Sequence, residues 1–232
     1  MQSDRRTEVI PARFFGPAHR RLVPHIYTDQ EIVGLLRAAD HLKPTHGLRP
    51  LTYRTLLGLL AASGLRLSEA LNLSPGDVRD DHLTVRQTKF RKTRLVPLHP
   101  TTASALKHYA EVRQRKLGHL RMESFFVSDQ GTRLVPRTVE STFGTLRSRL
   151  GLVARGGHAS PRLHDLRHTF ICRGLLRNYR HGKSADHVID ALSTYVGHAK
   201  VSDTYWYVTA IPELMAIAAK RFAPLPSRGG VL

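Results

Sequence analysis

Along residues 28–40 the apolar positions Ile32, Leu35 and Leu36 recur at helical spacing behind Thr28, which has Glu31 three places on. That pattern predicts a helix whose first turn is closed by a capping box. Tyr53, Leu56, Leu57 and Leu60 repeat the period and predict a second helix ending at Ser63-Gly64, with Ser68 placed to cap the next. The pattern then changes. "SPGDV" is a turn, "HLTVRQTK" alternates, and "RLVPL" follows the basic turn "FRKT", which predicts a small hairpin of two or three strands. From Thr101 the helical period returns, broken at "VSDQGT", "ARGGHASP" and "HGKSAD". Up to Pro24 no period is visible, so 1–24 reads as a linker-like leader, 25–225 as the folded unit and 226–232 as a tail. The expected fold class is mainly α with a small antiparallel β-sheet (α+β).

Charge narrows the function. The 232 residues carry 36 Lys and Arg against 18 Asp and Glu, a formal net charge of +18. The cations are clustered: His82 to Arg121 holds ten with one acid, Glu111, and Arg133 to Lys183 holds eleven with two, Glu140 and Asp165. Cations at this density within apolar-containing segments point to a folded surface for nucleic acid. The single cysteine, Cys172, allows no intrachain disulfide and lies among apolar residues, which predicts a buried, inert thiol in a reducing compartment. "MQSDRRTEVIPARFF" holds no signal-peptide core, and the apolar run "TLLGLLAASGL" is too short to span a bilayer. A cytoplasmic, nucleoid-associated chain with no membrane partner is expected.

Individual residues carry the candidate chemistry. Arg66 follows the Gly64 break in "SGLRLSEAL", where its planar fork suits phosphate oxygens. Lys89 ends the first hairpin strand, and Arg86, Arg91, Lys92 and Arg94 around it are expected to contact DNA phosphates. In "RLHDLRHTF", His164 and Arg167 fall three apart, on one face of a helix. His164 and His168, four apart, have the spacing of a zinc pair. However, Asp165 stands where the metalloprotease motif needs Glu, an arginine crowds the position, and no third ligand is suitably spaced, so no metal is expected. His198 follows Gly197, and Tyr207 lies nine residues beyond it in the trio Tyr205, Trp206, Tyr207, which taken alone reads as core packing.

The ordered set "SGLRLSEAL", "TKFRKTRLVPL", "HDLRHTF", "YVGH" and Tyr207 resembles the catalytic domain of the tyrosine recombinase (phage integrase) family, from about Tyr27 to Phe222. The resemblance places Arg66, Lys89, His164, Arg167, His198 and Tyr207 on the family's six active-site positions. Glu69 matches the acidic partner that holds the basic residues in place. Two departures stand out: Phe90 follows Lys89 where glycine is frequent, and the short leader replaces the family's usual core-binding domain. The implied enzyme is a site-specific recombinase or integrase of a mobile element, acting without a cofactor on double-stranded DNA. Tyr207 would form a 3′-phosphotyrosyl link, with Arg66 and Arg167 clamping the non-bridging oxygens and His198 donating a further hydrogen bond. Lys89 would serve as general acid and His164 as general base. A type IB topoisomerase-like enzyme and a non-catalytic DNA-binding remnant are the alternatives. The apolar segment "IPELMAIAAKRF" implies docking onto a neighbouring protomer in a homo-tetramer on paired sites, and accessory recombinases are further possible partners.

Overall fold

The computed structural model describes residues 21–86, 93–118, 123–181, 185–197, 200 and 202–210. Helix α1 (Asp29–Asp40) opens with the expected capping box: Thr28 Oγ1 accepts from the Glu31 N–H at 3.1 Å and Glu31 Oε2 from the Thr28 N–H at 2.8 Å. Helix α2 (Arg49–Ser63) is the central element. Leu56, Leu57, Leu59 and Leu60 form a broad apolar face and are all buried, since α1, α4 (Pro100–Leu117) and α6 (Asp165–Arg180) pack against the helix. The helix stops at Gly64, whose φ of 63° few other residues would accept; a Cβ there would also lie 2.5 Å from the Phe170 ring.

Helix α3 (Leu67–Leu71) begins earlier than expected. Arg66, rather than Ser68, occupies the N-cap position, because the Glu69 carboxylate reaches back to the Arg66 N–H and satisfies a donor of the first turn. After a 3-10 turn (Pro75–Asp77), strands β1 (His82–Val85) and β2 (Arg94–Pro97) pair antiparallel, with His82 opposite Pro97 and Val85 opposite Arg94. Leu83, Val85 and Val96 point into the core, so the period-2 reading holds with two strands among the described residues.

Helix α5 (Pro136–Arg149) precedes α6, and α7 (Ala185–Val196) and α8 (Ser202–Ala210) follow it. The apolar interior is in two parts. A larger cluster joins α1–α5 and the hairpin to the start of α6 at Leu166. A smaller one gathers Ile171, Cys172, Leu175 and Tyr179 of α6 with Val188, Ile189 and Val196 of α7 and Tyr207 of α8. Packing also reaches into the stretch read as leader. Pro24 is buried, the Gly157 N–H donates to the Val23 carbonyl at 2.8 Å, and Arg21 pairs with Asp203 on α8. Among the described residues, no helix is long and apolar enough to cross a membrane.

Candidate active site

The site forms where α7 ends. The last carbonyls of a helix lack intrahelical partners and lie at the negative end of its dipole. Here they are taken by three guanidiniums. Arg94 Nε donates to the Tyr195 carbonyl at 3.0 Å, Arg167 Nη2 to Val196 at 2.8 Å and Arg66 Nη2 to Gly197 at 3.3 Å. Arg167 Nη1 also donates to the Gly64 carbonyl at 2.6 Å, so one buried side chain ties the end of α2 to the end of α7. Gly197, at φ 70°, lets the chain pass so close to Arg94 that a Cβ would lie 2.7 Å from its Nη1.

One carboxylate organises two of these cations, Arg66 and Arg94. Glu69, 7% exposed, accepts from Arg66 Nη1 at 2.9 Å and takes both terminal nitrogens of Arg94 at 3.1 and 2.9 Å. Burial alone would raise its pKa, but the hydrogen bonds from Arg94 and Arg66 outweigh that and hold it below the usual carboxylate value. Asp165 plays a similar part in the first turn of α6: it is fully buried and accepts from the Arg162 N–H and guanidinium.

His164 sits at the N-cap position of α6, one residue outside the helix, so its pairing with Arg167 is a first-turn relationship. His164 keeps an exposed edge, yet crowding by the surrounding protein, followed by the charge of Arg167, lowers its pKa to about 4, which leaves a neutral ring at neutral pH. Burial and the neighbouring Arg66 likewise bring Arg167 down to about 10. Tyr207, on α8, is 3% exposed, and burial raises its pKa. Its hydroxyl lies 2.5 Å from His168 Nδ1. Arg66, His164, Arg167, His168 and Tyr207 line one cavity of about 410 Å³, together with Arg21, Leu22 and Trp206.

Of the six positions expected to be catalytic, the structure brings together Arg66, His164, Arg167 and Tyr207. Lys89 and His198, with Arg91 and Lys92, lie outside the described residues. Arg86 is 64% exposed and donates its Nε to Asp77. Arg94, expected to contact DNA, instead spends its fork on Glu69 and Tyr195 and is 13% exposed. No spacing in the sequence ties His168 to the tyrosine, since Tyr207 lies 39 residues away. Among the described residues no group of three His, Cys, Asp or Glu is placed to hold a metal ion.

The sequence model of the phage integrase family matches residues 26–213. A Sinorhizobium fredii protein named as an integrase/recombinase, y4rB, is 39% identical over 225 residues, covering 94% of this chain and 72% of its own length. Among solved structures, the XerA recombinase superposes with a TM-score of 0.67 at 23% identity, covering 90% of this chain and 68% of its own. The XerH site-specific recombinase in a post-cleavage complex with its palindromic difH substrate gives 0.63 at 19%, covering 85% and 53%.

Proposed function

The chain belongs to the phage integrase family, and from that membership we propose that it is a site-specific DNA recombinase that cuts and rejoins strands through Tyr207. The observation that carries this reading is the shared cavity, in which a tyrosine hydroxyl stands beside Arg66, held by the Glu69 carboxylate, and Arg167, held by the Gly64 and Val196 carbonyls. A phosphodiester entering it would meet Arg66 and Arg167 at its non-bridging oxygens, where fixed cations stabilise the charge that develops on attack. Tyr207 would displace the 5′ oxygen and keep the bond energy in a 3′-phosphotyrosyl link, so that rejoining needs no external energy source. Lys89 fits the role of proton donor to the leaving oxygen, and His198 that of a further donor to the phosphate. Arg86, Arg91 and Lys92 would track the flanking backbone. Arg94 acts as a structural partner of Glu69. Such an enzyme works on DNA in the cytoplasm.

Assembly follows the same reading. The groove between α6 and α7, about 620 Å³ and lined by Phe170, Val188, Leu192 and Tyr195 with Asn178 and His187, offers a mainly apolar seat for one face of a helix. The apolar segment Pro212–Arg221, outside the described residues, would fill the groove of a neighbouring copy and join four protomers on paired sites.

The test is incubation with a nicked suicide duplex carrying the DNA that flanks the coding sequence. A covalent adduct should form in EDTA and vanish in Tyr207→Phe while binding persists. Relaxation of supercoiled DNA without strand exchange would select the topoisomerase alternative, and binding without any adduct the remnant.

A further inference from the structure

A hydroxyl that attacks phosphorus must give up its proton, and the burial of Tyr207 makes that harder. The group that meets the hydroxyl is His168. On α6 it lies one turn beyond His164, and α8 packs across that helix. Nδ1 is 2.5 Å from the phenol oxygen, the two rings are 5.5 Å apart at 51°, and the His164 ring stands edge-on to His168 at 4.8 Å.

On the recombinase reading above, we propose that His168 is a catalytic residue of strand cleavage: its Nδ1 accepts the Tyr207 hydrogen bond, aims the oxygen, and takes its proton during attack. The step balances. The bond from the phenol oxygen to phosphorus forms, the bond from phosphorus to the 5′ oxygen breaks, the phenolic proton passes to Nδ1, and the leaving oxygen takes a proton from Lys89. In rejoining, the imidazolium returns its proton to the departing phenolate. The base role assigned to His164 from sequence thus moves one helical turn along.

The surroundings suit this use. His164 and Arg167 on α6, Arg162 and His158 before it, Arg66 from the α2–α3 turn and Arg21 from the amino-terminal stretch line the same cavity; Asp203 on α8 is the one carboxylate among them. Their excess positive charge would draw an incoming phosphodiester into the cavity that holds the His168–Tyr207 pair.

Two measurements decide the matter. In 15N-histidine spectra of the protein without DNA, Tyr207→Phe should move the His168 Nδ1 resonance. On the nicked duplex, His168→Gln should slow single-turnover adduct formation by ~100-fold or more. Its rate should keep climbing with pH, as attack comes to depend on hydroxide, while wild type and His164→Gln level off. An unmoved resonance, or a His168→Gln rate and pH profile like wild type, overturns the proposal while leaving Tyr207 as nucleophile. A moved resonance with no adduct from wild type sinks the recombinase reading and the proton transfer with it, leaving only the hydrogen bond.

Discussion

Glu69 and Arg94 meet in a two-point ion pair across 25 residues of sequence, with N–O distances of 2.9 and 3.1 Å. The pair joins the first residue of β2 to the helix that carries Arg66 at its start, and through Tyr195 it reaches the end of α7. The hairpin, the α2–α3 turn and the α7 terminus are thereby held in one frame.

Arg94→Ala should therefore act as a loss of framework. It leaves a buried carboxylate short of its bidentate partner, which is expected to cost ~3 kcal/mol in urea unfolding. Cleavage should fall with it, and the salt dependence of DNA binding should stay unchanged. Arg86→Ala should do the opposite, reducing the salt slope by about 1 with a smaller loss of stability, because Asp77 keeps its two bonds from Ser74. If Arg94→Ala lowered the slope and spared stability, Arg94 would belong with the DNA contacts after all.

Arg66 and Arg167 should separate in the same way. Both variants to Ala are expected to slow adduct formation by ~10²–10³-fold, the usual effect of removing one donor from a developing oxyanion. Arg167 also staples two helix ends from a buried position, so its loss should lower stability by about 3 kcal/mol. The cost for the more exposed Arg66 should stay below ~1 kcal/mol. Paired thermal melts and cleavage rates check this, and equal stabilities for the two variants would count against the staple.

Acid should expose the amino-terminal anchor. Hydrogen bonding from Arg155 is the main cause that depresses Glu31 from 4.5 to about 2. A carboxylate depressed on folding contributes stability that is complete above its unfolded pKa and is lost as pH falls through the folded one. The stability gap between wild type and Glu31→Gln should accordingly be flat from neutral pH down to 4.5 and close between 4.5 and 2. A gap that survives at the acid end would show that the pair does not titrate as a unit with folding.

Removing residues from Glu213 onward should abolish assembly on paired sites and strand exchange, while the α6–α7 groove and the fold persist. Sedimentation with and without paired-site DNA, beside circular dichroism, tests this. Unfolding of the shortened chain would mean that the segment packs on its own protomer.

Local features were legible in the sequence because their causes are local. The Thr28–Glu31 box, the stop at Gly64 and the alternation of β1 each lie within a few residues. Arg94 was not, since an arginine among cations reads as a phosphate contact until the carboxylate folded onto it is known. Ser68 is a better capping residue than Arg66, yet Glu69 bonds the Arg66 N–H and moves the helix start forward. His168 was weighed only against its neighbour on the same helix, and its tie to Tyr207 depends on how α8 crosses α6. Pro24 and His25 carry no period, but they are buried by the 155–157 loop and by Tyr27.

The division of the interior into two clusters bears on the order of events. Tyr207 belongs to the smaller one, with α8 lying against α6 and α7, whereas the turn that presents Arg66 and the hairpin that bears Arg86 are built on the larger. Small packed units open at lower free energy than the whole molecule. On the proposed reading, the basic face can settle on a duplex while the attacking oxygen is still stowed, and the helix that carries it can shift without loosening that grip. Recognition and commitment to breakage thus become separate moments, with the interval between them set by a few apolar side chains.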